Sequence, residues 1–282
     1  MAASDYRQTG EAVMCPVATL NGALALEVGP STINVENFVE VVSRAEDVQV
    51  GDAILIDDEV LRIDDIEDWP ELTVSRGCGD TIPQAHSDGA TVWFFTGNSG
   101  NDAIEYASGD TVGVKLAPFS LSGGAVPLEY VPPFEVTFNW RFSRPYAPAD
   151  FKVNGTPWFT GPKTTTPLDS GVEFTWANRN RLSQADQLVS HDEGNLTVEP
   201  GVTYTATVFD NTDTEVNEYT GITGTSWTYA RADMITDLPG KIGYVIFRAT
   251  RDGLDSLFTY RVNVRVQMSG LGLTLGQHLG GI

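Results

Sequence analysis

Carboxylates are the chemical groups this sequence supplies in excess. Between Glu36 and Glu71 thirteen acids, from Glu36, Glu40, Glu46 and Asp47 through Asp64, Asp65, Glu67, Asp68 and Glu71, stand against Arg44 and Arg62 alone. Such density suits a Ca²⁺ site, because hard cations gather several oxygen ligands. The stretch lacks the Asp-x-Asp-x-Asp-Gly loop with a closing Glu, so the reading adopted is a solvated acidic face that resists aggregation. Asp57 and Glu59 could share a strand face and act as the paired carboxylates of a glycan hydrolase, which needs them roughly 5–9.5 Å apart across a cleft. A tight hairpin turn at Asp57-Asp58 accounts for the same residues without catalysis, since Asp tolerates left-handed backbone angles.

Nucleophile chemistry finds less support. A couple of Cys78 with His86 would lack an orienting third group, and neither Gly-x-Ser-x-Gly nor Gly-Lys-Ser/Thr occurs. Arg76-Gly-Cys-Gly-Asp80 reads as a turn, and His86 as a loop residue bonded to backbone. His86, His191 and His278 never fall at the i, i+4 spacing of a helical metal pair. Cys15 and Cys78 leave one bridge open and rule out a disulfide framework. No catalytic residue, metal ligand or cofactor is therefore expected, and the chain is read as a non-enzyme.

Aromatic side chains are the remaining candidates, because Trp and Tyr give rigid contact area to proteins and stacking platforms to sugars. Trp140, Trp158, Phe159, Trp227 and Tyr229 are the expected interaction residues, with Trp158-Phe159 as an aromatic loop tip between Gly155 and Gly161. Trp176, in Phe174-Thr-Trp, is expected in a core instead. The formal charge of −21 repels phosphate backbones and anionic membrane surfaces, so no nucleic acid partner is expected. No apolar run reaches the ~20 residues of a membrane-spanning helix, and the first residues lack the apolar core of a secretion signal.

The elements that must position these residues are short. Gly, Pro, Asn and Asp punctuate β-branched and aromatic runs over most of the 282 residues, which predicts an all-β fold. Strands are expected at 53–56, 59–63, 72–75, 91–95 and 111–116, forming a small β-barrel or rolled sheet over 31–117 after an attachment segment at 1–30. A linker with one short strand (135–140) follows at 118–145. Strands at 150–153, 172–177, 203–209, 225–229, 243–249 and 258–266 then predict a sandwich over 146–268. In the last of these Tyr260, Val262, Val264 and Val266 alternate with Arg261, Asn263 and Arg265, giving one dry and one wet face. Leu182 to Val189 hints at a helical turn or edge segment, and 269–282 is a Gly-rich tail with alternate leucines, expected against a partner or mobile.

Two stretches also resemble known families. Ile56-Asp-Asp-Glu-Val-Leu-Arg-Ile63, then Leu72-Thr-Val-Ser-Arg-Gly77, Asp80-Thr-Ile-Pro-Gln-Ala-His86, Gly89-Ala90 and Val92-Trp-Phe94, resembles a β module of tail proteins in tailed bacteriophages. Arg144-Pro-Tyr-Ala-Pro-Ala-Asp-Phe-Lys-Val-Asn-Gly155, Phe174-Thr-Trp-Ala-Asn-Arg-Asn-Arg181, Gly201-Val-Thr-Tyr204 and Arg251-Asp-Gly-Leu-Asp-Ser256 is similar to the fibronectin type III or immunoglobulin-like domain of phage tail-tip and gene-transfer-agent hub proteins. The resemblance implies a structural protein of a virion tail tip or baseplate, a symmetric homo-oligomer in contact with hub, distal tail or fibre subunits. Host attachment would run through a surface receptor or glycan; the rival expectation is a tail enzyme that degrades host polysaccharide.

Overall fold

The computed structural model describes residues 6–9, 15–39, 48–97, 102–120, 123–164, 171–193 and 196–266. Six strands close a barrel in the order β1-β2-β5-β4-β3-β6: β1 (Val17–Leu20), β2 (Ser31–Val39), β3 (Ala53–Ile56), β4 (Glu59–Asp68), β5 (Glu71–Ser75) and β6 (Thr91–Phe94). Alternation explains the closure, because every other residue points inward. Leu20, Ile33, Val35, Ile54, Ile56, Leu61, Ile63, Leu72, Val74, Val92 and Phe94 meet in one core. The two-residue turn expected at Asp57-Asp58 joins β3 to β4, with Asp57 at φ +50° and Ile56 opposite Glu59.

The barrel differs from the expected 31–117 unit at both ends. It takes in β1, from the stretch assigned to attachment, because β1 pairs with both β2 and β6 and seals the cylinder. It ends at β6. The following strand, β7 (Thr111–Val114), pairs only with β10 (Phe134–Thr137) in a separate two-stranded ribbon, and between them β8 (Phe119–Ser120) and β9 (Gly124–Ala125) form a second small pair. This arm has almost no interior: between 102 and 143, Val131 is the one buried residue among those described.

Two sheets form the downstream sandwich. One runs β12-β11-β14-β17, from β11 (Ala149–Val153), β12 (Thr156–Pro157), β14 (Val172–Ala177) and β17 (Ser226–Tyr229). The other runs β13-β20-β18-β15-β16, from β13 (Lys163–Thr164), β15 (Thr203–Asp210), β16 (Glu215–Ile222), β18 (Ile242–Arg251) and β20 (Tyr260–Arg265), with β19 (Leu254–Asp255) on β18. Helix α1 (Arg231–Asp237) follows β17 and buries Met234. Tyr260, Val262, Val264 and Val266 are buried while Arg261, Asn263 and Arg265 are exposed, as the alternation predicts. Phe151 stacks on Tyr260 with centroids 4.2 Å apart, and Trp176 lies in the same core against Tyr204 and Phe247. Residues 181–186 form turns, with Gln184 N bonded to Asn180 O. Among the described residues no helix is long and apolar enough to cross a membrane.

Candidate functional site

The residues that carry the phage-tail resemblance converge on one buried polar cluster. Glu59, at the start of β4, and Arg76, just past β5, are both fully buried and form a two-pronged ion pair, Nε to Oε1 at 2.8 Å and Nη2 to Oε2 at 2.9 Å. Glu59 accepts three more hydrogen bonds: Gly77 N to Oε1, and Gln84 N and His86 Nε2 to Oε2, each at 2.8 Å. Arg76 spends its remaining donors on the Ala25 and Gln84 carbonyls and the Ser31 hydroxyl. His86 reaches Asp57 Oδ2 through Nδ1 at 2.8 Å, and its backbone bridges to Leu24. Gly77 completes the turn at φ +56°, where a Cβ would run into the Pro83 ring.

Electrostatics set the protonation of this cluster. Burial works to raise the Glu59 pKa, yet hydrogen bonds from His86 and Arg76 outweigh it and hold the carboxyl below its ordinary value. Burial likewise opposes the His86 imidazolium, and the hydrogen bonds to Glu59 and Asp57 reverse the balance and raise its pKa. A ring flanked by two carboxylates donates to both only when both nitrogens carry protons. With five donors on its two oxygens and no side-chain surface in solvent, Glu59 is a structural acceptor.

The segment between Gly77 and Ile82 then enters the sandwich. Arg179, buried beyond β14, donates to the carbonyls of Gly77, Gly79 and Thr81, and Ile82 joins the sandwich core. His191 N donates to the Arg76 carbonyl at 2.9 Å. Arg62 of β4 forks onto Glu193 with two 2.8 Å bonds, which hold that carboxyl at about 2, and Arg141 forks onto Asp80. Burial keeps the His191 pKa well below its ordinary value. Tyr260 donates its hydroxyl proton to Pro148 O, so His191 Nε2 carries the proton shared with Tyr260 at 3.1 Å.

The five expected interaction residues do not come together. Trp158 is 7% exposed and packs edge-on against Tyr260, so it is a core residue, and Phe159 leans half-buried on the same core. The expected exposed tip is thus corrected: the loop folds inward because the indole fills the end of the sandwich. Tyr229 is fully buried, its hydroxyl on Asp237, and Trp227 stacks over it, half-buried. Only Trp140 is open, at φ +56° at the root of the arm. Sequence reasoning missed four other exposed apolar residues of the arm, Leu116, Tyr130, Phe134 and Phe142; the available signal was the Pro-rich run 127–133, whose prolines cannot complete a strand ladder beside them.

Cys15 and Cys78 are both free thiols, and burial pushes Cys78 up to about 12. Among the described residues no group of His, Cys, Asp and Glu could hold a metal ion, and part of the acidic stretch, 40–47, lies outside them. The expected tail 269–282 also lies outside them. No protein-family model and no curated protein matches this chain.

Proposed function

We propose that the protein is a structural component of a bacteriophage tail tip or baseplate, acting through surfaces in tail assembly and host attachment. The observation that carries this reading is the arm, a nearly coreless ribbon with large apolar side chains in solvent, rooted on a barrel and sandwich that charged hydrogen bonds lock together. Exposed apolar area of this kind marks contact with other chains. The residues on which the resemblance to phage tail modules rests support it too, since Asp57, Glu59, Arg76, Gly77 and His86 hold one another and thereby fix the barrel. Neighbouring tail proteins cover the arm, and symmetric repetition multiplies weak host contacts into firm attachment.

Gradient-purified particles from cells carrying the gene test this by mass spectrometry and antibody labelling in the electron microscope. The chain is expected in the particles, labelled at the tail end. A chain confined to the particle-free fraction overturns the proposal, as does steady release of reducing ends when the purified protein is incubated with host polysaccharide.

A further inference from the structure

A buried cation without a carboxylate partner already sits where the barrel meets the sandwich. Arg179 spends its hydrogen bonds on the carbonyls of Gly77, Gly79 and Thr81, its Nε has no partner, and no carboxylate touches it among the described residues. His191 takes the preceding carbonyl, with its N–H on Arg76 O at 2.9 Å, and its own carbonyl accepts from Asp150 N at 2.7 Å. Its backbone thus stitches the barrel to the sandwich. The imidazole is fully buried, and Nδ1 has no hydrogen-bond partner. We infer that protonation of His191 opens this joint, so that in acid the barrel and the sandwich part while each keeps its own fold.

The surroundings offer an imidazolium no acceptor. From β20, Tyr260 faces Nε2 at 3.1 Å with its own proton committed to Pro148 O, and the Trp158 ring lies 5.3 Å away. Arg179, beyond β14, and Lys152, on β11, both repel a further positive charge. The carboxylates around the ring are engaged elsewhere: Asp150 with Lys152, Asp192 with the Ser190 hydroxyl, Glu193 with Arg62, and Glu59 of the barrel with Arg76 and His86. Burial first, and then these two cations, hold the folded His191 pKa well below 6.5, so its stabilisation is complete above 6.5 and is lost as pH falls toward the folded value. Moving the ring into water relieves the charge and pulls the His191 backbone off Arg76. The Arg62 fork onto Glu193 keeps its charge down to about 2, yet with Glu193 45% exposed it is worth little alone. Each unit survives the parting because it has its own core; the barrel side lends the sandwich Ile82, with Leu26 and Val28 beside it. Acid also reinforces the barrel, where a doubly protonated His86 donates to both Asp57 and Glu59. This opening goes beyond the assembly reading above and does not depend on it.

Column-coupled small-angle X-ray scattering of the full chain, from neutral pH downward, is the test, because the column separates an opened monomer from any aggregate. The radius of gyration of the monomer is expected to rise in one reversible step with its midpoint below pH 6.5, while the β-sheet circular dichroism is unchanged. His191→Gln, which takes up no proton, is expected to stay compact over the same range. A second measurement on the unaltered protein holds whether or not that variant folds: in histidine-labelled chain the His191 ring, identified in NMR spectra by its contact with Trp158, is expected to titrate together with the expansion. A parent chain that stays compact until its circular dichroism is lost overturns the inference. So does a folded His191→Gln variant that expands at the parent's pH, or a His191 ring that titrates without expansion.

Discussion

A guanidinium removed from water demands a counter-charge and a full set of acceptors, and Arg76 finds both in Glu59 and three further oxygens. Breaking one partner of such a pair costs about 3–5 kcal/mol, because the other charge stays buried. Glu59→Gln and Arg76→Met are each expected to lower stability by that amount in urea unfolding, and the double change Glu59→Leu with Arg76→Met by less than the sum. The two buried histidines pull in opposite directions with pH. His86 has a raised folded pKa, so its stabilisation is complete below its ordinary value of 6.5 and is lost as pH rises through the folded value. His191 has a depressed one, so its contribution is complete above 6.5 and is lost as pH falls toward the folded value. His86→Gln is expected to flatten the alkaline side of a stability-against-pH curve, and His191→Gln the acid side. A curve unchanged in shape by either substitution contradicts the assigned protonation.

Elements differ in how plainly they can be read. Strands β3 to β6 were legible because Ile54, Ile56, Leu61, Ile63, Leu72, Val74 and Val92 alternate in short runs between acidic or Gly turns. Strand β2 was not, since Ser31, Thr32, Asn34 and Glu36 interrupt it, and β16 reads Glu-Val-Asn-Glu-Tyr-Thr-Gly-Ile, with little to bury. Helix α1 escaped because it has seven residues and no side-chain cap. The clamp was hidden by charge: Glu59, Arg76 and His86 look like surface groups until folding brings positions 17 and 27 residues apart into contact. Trp158 misled in the reverse sense, as a large side chain in a Pro/Gly loop that the sandwich then swallowed. Trp158→Ala is expected to cost about 3–5 kcal/mol by denaturant unfolding, whereas Phe142→Ser stays within about 0.5 kcal/mol.

For the whole molecule, the joint between barrel and sandwich decides mechanical behaviour. Arg179 caps three barrel carbonyls, Arg62 grips Glu193, and Ile82 is buried in the neighbouring core, so the two units are expected to melt as one. Arg179→Met removes the central tie and is expected to split a single calorimetric transition into two, with the wild-type chain keeping calorimetric and van't Hoff enthalpies equal. Two transitions in the unaltered protein would mean that the joint is weaker than its hydrogen bonds imply.

The contrast between the two thiols has a practical side. Cys78 is sealed and scarcely ionises near neutrality, while Cys15, just ahead of β1, is partly open. A maleimide dye added to the native protein therefore attaches at one place, at the barrel's edge, without any engineered cysteine. Fluorescence from that single position can report whether anything comes to rest against the barrel's edge.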